Sequence, residues 1–182
     1  MNETELFPSV RCARVVVGVT GSAGSGAALR RAAVEARRSG SELVPVLAWE
    51  PPGGEALYRT APTPALAKRW QLDADRQLGA AISAALGALP ADISVTPMVV
   101  RAPAAWALNA LADRPTDLLV LGGGRRNRLT RLPRGKVRRH VVARAKAPVL
   151  LARPPETPRS LRRELRHLEP EHFLRPPAGH GR

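Results

Sequence analysis

The chain has 182 residues, 44% of them hydrophobic, which suffices for one buried core with extensions. Only 3% are aromatic, so that core must be built from Ala, Val and Leu, which disfavours a large aromatic-lined pocket. The formal charge of +14 is unevenly placed: residues 1–124 carry 12 basic and 11 acidic side chains, residues 125–182 carry 17 and 4, and no apolar run reaches the ~18 residues of a membrane-spanning helix.

Residues 1–13 form a short leader. Met1–Val10 carries Glu3 and Glu5 and lacks a basic segment followed by an apolar run, so it does not read as a secretory signal. The single cysteine, Cys12, excludes an internal disulfide or a multi-cysteine metal site. These features predict a cytoplasmic protein.

Arg14–Val19 is apolar without alternation, as expected of a strand buried on both faces. A Gly/Ser turn, Thr20–Gly26, precedes a helix expected over about Ala27–Arg38, stopped by Gly40. The turn lacks the Lys-Ser/Thr pair of a phosphate-binding P-loop, since Ala27 and Ala28 stand there, so it reads as a tight turn with a helix cap from Ser22 or Ser25. A second strand is expected over Glu42–Trp49. Pro51–Pro64 reads as a loop. A long helix over about Ala65–Leu89 is expected to bury Leu66, Leu72, Leu78, Ile82, Ala85 and Leu89, and Pro90 ends it.

A third strand is expected over Ile93–Val100, and a helix from Pro103 to about Asp113. Asp117–Leu121 is the fourth strand. A Gly/Arg-rich loop, Gly122–Arg134, leads to a basic helix over about Gly135–Ala145. Pro148–Ala152 is the fifth strand. Alternating strands and helices predict one α/β domain over 14–153, a parallel sheet with helices on both faces. Ligands in such sheets bind beyond the carboxyl ends of the strands, where Thr20–Gly26 and Gly122–Arg134 lie. Residues 154–182 hold six prolines, and the composition predicts a mostly disordered tail with at most one short helix over Ser160–Leu168.

The order of these pieces resembles the universal stress protein family. Val15-Val-Val-Gly-Val-Thr-Gly-Ser22, then Ser25 and Ala28-Leu29, resembles its first strand and helix start. Asp117-Leu-Leu-Val-Leu-Gly-Gly-Gly124 resembles its fourth strand and glycine loop, and Ala147-Pro-Val-Leu-Leu151 its closing strand. The resemblance covers Arg14–Arg153. It implies a Rossmann-like, adenine nucleotide alpha hydrolase-like five-stranded sheet, a non-catalytic stress-response role and homodimers formed through strand 148–152. In one branch of the family it also implies adenine-nucleotide binding, ATP with magnesium, which in this chain is expected to be weak or absent at the strand-4 Gly/Arg loop.

That branch carries the loop G-x2-G-x9-G-(S/T), whose glycines let backbone N–H groups approach phosphates. Gly122 and Gly135 match. Arg125 stands at the second glycine, one residue after Gly124. Lys136 stands at the Ser/Thr position, followed by Val137. Thr20 stands where the branch has the first-strand acid that holds the nucleoside. Three of five positions therefore depart, and the cations Arg125 and Lys136 offer charge in place of a glycine nest.

Arg125, Arg126, Arg128, Arg131, Arg134, Lys136, Arg138 and Arg139 place eight positive charges within fifteen residues. This supports an alternative, a polyanion-binding module that holds nucleic acid through phosphates. Aromatic interleaving for base stacking is absent. Trp49, Trp70 and Trp106 are scattered, with Trp49 expected against the Pro51–Pro64 loop. The histidines His140, His167, His172 and His180 have no partner at metal-ligand spacing, and no nucleophile–base pair is evident, so neither a metal site nor an enzyme is expected.

Overall fold

Each unbroken apolar run becomes a strand, because a parallel strand covered on both faces needs apolar side chains on both. A computed structural model describes residues 13–87, 89–123 and 136–154. The elements are β1 (Arg14–Gly18), α1 (Ala23–Ser39), β2 (Glu42–Trp49), α2 (Gly54–Thr60), α3 (Pro64–Leu86), β3 (Met98–Arg101), α4 (Ala104–Leu111), β4 (Leu118–Gly122), α5 (Lys136–Arg144) and β5 (Val149–Ala152). The strands pair in parallel in the order β3-β2-β1-β4-β5. The order reverses between β1 and β4, which makes their carboxyl ends the switch point.

Alternate residues of each strand serve two cores. Val15, Val17, Leu43, Leu47 and Val120 pack against Ala28, Leu29, Ala32, Ala33 and Ala36 of α1 and Ala74, Leu78 and Ile82 of α3. Val16, Val44, Val46, Leu119 and Leu121 pack against Leu108 and Ala112 on the α4 side and Val141 of α5. The alanine face of α1 lets it lie close over β1 and β4. Burying a larger side chain such as Leu29 contributes roughly 2 kcal/mol.

Four local expectations are corrected. Helix α1 begins at Ala23, four residues early, because Ser22 caps it: Ser22 Oγ accepts from Ser25 N at 3.3 Å, and Gly24 and Gly26 fall inside its first turns. Gly40 stops it in the left-handed region, φ 65°, as expected. The Pro51–Pro64 stretch contains the short helix α2, introduced by Gly53 and Gly54 at φ 81° and 84°. Helix α3 buries a narrower stripe, Ala74, Leu78 and Ile82, than the sequence suggests. Leu66, Leu72 and Leu89 are exposed, and the helix stops at Leu86 with Gly87 at φ 80°. The third strand is shortened to Met98–Arg101, preceded by a lone Leu43–Val95 bridge. Pro45 on β2 lacks the N–H that would continue the ladder between those points.

The amino ends of β1 and β4 are tied by charge. Asp117 is 1% exposed. It accepts from Arg14 Nε at 3.2 Å, Arg14 Nη2 at 2.8 Å and the Arg114 backbone N at 3.2 Å. Arg14 also reaches Asp113 at 3.0 Å. The hydrogen bond to Asp117 is the main cause that raises the Arg14 pKa, against the opposing effect of burial.

Candidate functional site

Beyond the carboxyl ends of β1 and β4 the chain folds around a cleft of about 440 Å³. Its floor is the end of β1, Gly18 to Thr20, and the end of β4, Leu121 and Gly122. One wall is the start of α1, with Ser22, Gly24 and Ser25. The opposite walls are Val46 and Ala48 of β2, Ala104 and Leu108 of α4, and Val137 and Arg138 of α5. The size suits a small-molecule ligand, and the walls combine apolar side chains with a few polar groups. A smaller hollow of about 280 Å³ lies between α3 and β3, away from the switch point.

Two glycines shape the cleft. A Cβ on Gly122 would stand 2.6 Å from the Gly24 carbonyl oxygen and 3.0 Å from Ser25 N. Only glycine lets β4 run under the first turn of α1 at that separation. On Gly18 a Cβ would stand 3.1 Å from Leu108 Cδ1, a tight contact that a shift of the leucine must absorb. The start of α1 is polar and positive in field, since its first backbone N–H groups point out of the helix. Ser25 Oγ donates to the Ser22 carbonyl at 2.9 Å, and Thr20 Oγ1 lies 3.0 Å from Ser22 Oγ. Gln77 of α3 donates to the Thr20 carbonyl at 3.3 Å, which fixes the turn after β1.

The structure brings Thr20, Gly122, Val137 and Arg138 together around this cleft. Lys136 opens α5, and Arg139 lies exposed on the same helix. Gly124, Arg125, Arg126, Arg128, Arg131, Arg134 and Gly135 lie outside the described residues. Sequence reasoning missed Val46, Ala48, Ala104 and Leu108, which reach the cleft from β2 and α4. The rule that ligands sit at the switch point could have named the end of β2. The α4 pair carried no signal of its own. Among the described residues no group of three or more His, Cys, Asp and Glu lies together. No described helix is long and apolar enough to cross a membrane.

A second cluster lies at the β2–β3 end of the sheet. Trp49 Nε1 donates to Gln71 Oε1 at 2.8 Å, and the Trp49 and Trp70 rings meet edge-on at 6.4 Å. Tyr58 of α2 meets Trp70 at 6.1 Å. The Arg101 guanidinium lies 4.4 Å from the Tyr58 ring centre and 5.4 Å from that of Trp49, and its Nε donates to Glu55 Oε1 at 2.6 Å. Those hydrogen bonds hold the Glu55 carboxyl below its ordinary value. Trp49 thus packs on α3 through Gln71 and Trp70, and it is Trp70 that meets Tyr58 of α2, while Trp106 is 65% exposed.

An open five-stranded parallel sheet with its cleft at the β1/β4 switch point defines the Rossmann-like, adenine nucleotide alpha hydrolase-like class. A sequence profile of the universal stress protein family matches residues 12–153, and the chain belongs to that family. A universal stress protein of Mycobacterium tuberculosis, Rv1996, is 34% identical over 146 residues. The match takes in 80% of this chain but 45% of the relative, so the chain spans about half the length of the curated relatives it matches. The crystallised UspA of Lactobacillus plantarum shares the fold with a TM-score of 0.57 at 21% identity, covering 79% of this chain and 99% of that one. A universal stress protein crystallised in complex with cAMP is 26% identical with a TM-score of 0.49, covering 80% of this chain and 99% of that one.

Proposed function

We propose that this protein is a non-catalytic stress-response protein whose β1/β4 cleft binds an adenine nucleotide such as ATP. The observation that carries this reading is the cleft itself. It lies at the switch point, between the start of α1 and Arg138 of α5, with apolar walls from Val19, Val46 and Leu121. The phosphates would face the α1 start and Arg138. The base would face Val19, Val46 and Leu121. Departures from the family's glycine loop at Arg125 and Lys136 replace backbone donors with charge, so the affinity falls with salt. Isothermal titration with ATP and Mg²⁺ at low ionic strength tests it. Binding that weakens in Arg138→Ala and Lys136→Ala is expected. Absence of heat and of carried-through nucleotide would overturn it.

The same reading makes the protein a homodimer. Strand β5 is at the sheet edge and presents Leu151 at 48% exposure. An unpaired apolar edge is satisfied by its symmetry mate. A monomeric mass in solution at micromolar protein would contradict this. The basic surface favours a second reading, polyanion binding through Arg138, Arg139 and the arginines of 125–134, together with the tail. It predicts a salt-sensitive anisotropy rise with a labelled oligonucleotide. A flat trace at low salt would remove it.

A further inference from the structure

Helix α2 has seven residues, and none of them is buried. An isolated helix of that length does not hold itself together in water. Its N-cap, Gly53, offers no side-chain bond, and the Thr60 hydroxyl bonds within the helix, to the Leu57 carbonyl. Among the described residues, the hydrogen bonds and ring contacts that leave α2 through side chains end on Arg101 and Trp70. Glu55 and Tyr58 stand three apart on one face of α2, and both meet the same guanidinium. Glu55 takes its edge: Arg101 Nε donates to Oε1 at 2.6 Å and Nη2 to Oε2 at 3.1 Å. Tyr58 takes its face, with the ring centre 4.4 Å away. Arg101 itself is fixed, since it pairs with Trp49 at the end of β3. The chain enters α2 through two consecutive glycines in the left-handed region, Gly53 at φ 81° and Gly54 at φ 84°. A Cβ on Gly53 would collide with the Leu57 side chain, so only glycine lets the entry fold back this tightly.

We propose that α2 is a strap that opens as one unit about Gly53–Gly54, with Arg101 as its latch, and that ionic strength sets how often it opens. Glu55 and Tyr58 share one cation, so losing the guanidinium removes both holds together and leaves α2 only the Tyr58–Trp70 contact. Salt reaches the latch, because the Arg101 and Glu55 side chains are each 32% exposed. The screening length falls from about 30 Å at 0.01 M salt to about 3 Å at 1 M. The contacts that hold α3 to the sheet, through Ala74, Leu78 and Ile82, are apolar and are not screened. The strap therefore loosens while the body stays folded, a local opening rather than global unfolding. Opening uncovers the Trp70 ring on its Tyr58 side and frees the Arg101 guanidinium at the carboxyl ends of β2 and β3. None of this depends on a nucleotide in the β1/β4 cleft.

The test is hydrogen exchange of the full chain by NMR at low salt and at about 1 M salt. It compares the Tyr58, Arg59, Thr60 and Ala61 amides of the strap with those of Leu78 and Ile82 in α3. In the wild type the strap amides are expected to exchange together, roughly threefold faster at the higher salt, while the α3 amides keep their rates. Arg101→Ala should speed the strap amides roughly tenfold and remove most of their salt response. Arg101→Lys keeps the charge but loses the fork and the flat face, and should resemble Arg101→Ala more than the wild type. Trypsin cleavage after Arg59, followed by mass, should rise in the same order. Strap amides that keep the wild-type rate in Arg101→Ala would overturn the assignment of the latch. Wild-type strap amides as slow as those of Leu78 and Ile82 would show that α2 opens only with the whole fold and would overturn the strap. Exchange indifferent to salt in the wild type would overturn the ionic control. Should Arg101→Ala also speed α3, Glu55→Gln and Tyr58→Leu, placed on the strap itself, decide between the same outcomes.

Discussion

The two ends of the β1–β4 strand pair are opposites. At the amino end a carboxylate, Asp117, is buried and every oxygen is engaged, by Arg14 and by the Arg114 backbone. At the carboxyl end the chain opens into a cleft with hydroxyls, helix-start N–H groups and one arginine, and no described lining carboxylate. The first arrangement is closed, so it can only stabilise. The second leaves polar groups facing a space, which is what a ligand needs. The same two strands are thus anchored at one end and receptive at the other, and the sign of the local charge marks which end is which.

If that division is right, substitutions at the two ends should separate stability from binding. Asp117→Ala should cost the most, about 3 kcal/mol, because it strands the Arg14 guanidinium and the Arg114 N–H in a half-buried place. Chemical denaturation should show the loss, and ATP titration of the folded fraction should be unchanged. Gly122→Ala should cost about 2 kcal/mol, since its Cβ would press on the Gly24 backbone and push α1 off β4. It should also weaken nucleotide binding, and a normal affinity would show that the cleft's floor is not where the ligand sits. Ser22→Ala should cost about 1 kcal/mol by removing the α1 cap, seen as a fall in midpoint temperature. The smallest effect belongs to Glu55, far from both ends. Its carboxyl is held low by Arg101, so its contribution is present above the unfolded-state value, about pH 4.3, and is lost as pH falls through the lower folded value. Tryptophan emission should change on that acid limb in the wild type and not in Glu55→Gln.

Much of this division could be read from the sequence. Val- and Leu-rich stretches marked all five strands, the third begun five residues too early, and Gly40 marked the end of α1. Thr20 and Gly122 were marked as site positions because the motif around them resembles the family's. What failed did so where glycine or small residues carry two meanings. Gly24 and Gly26 look like loop, yet Ser22 caps a helix that absorbs them. The Pro/Gly-rich 51–64 stretch hid α2, whose hold on the body is a single set of contacts between Arg101, Glu55, Tyr58 and Trp70. Arg101 lies more than thirty positions after the other three, and no periodicity links it to them. Leu66 and Leu72 look like core on a helical wheel, but the residues α3 buries are Ala74, Leu78 and Ile82, with Ala81, Ala85 and Leu86 partly packed on the same core. The cleft's apolar walls from β2 and α4 were invisible for a related reason: Val46 and Leu108 are ordinary core residues whose position, not type, gives them a role.

The most direct test of the central claim is a methyl NMR titration with ATP at low ionic strength. The account predicts shifts at Val19, Val46, Leu108 and Leu121 around the cleft, with Val15 and Leu43 at the anchored end unmoved. Shifts confined to surface methyls such as Leu66 and Leu72, or no shifts at all, would contradict it.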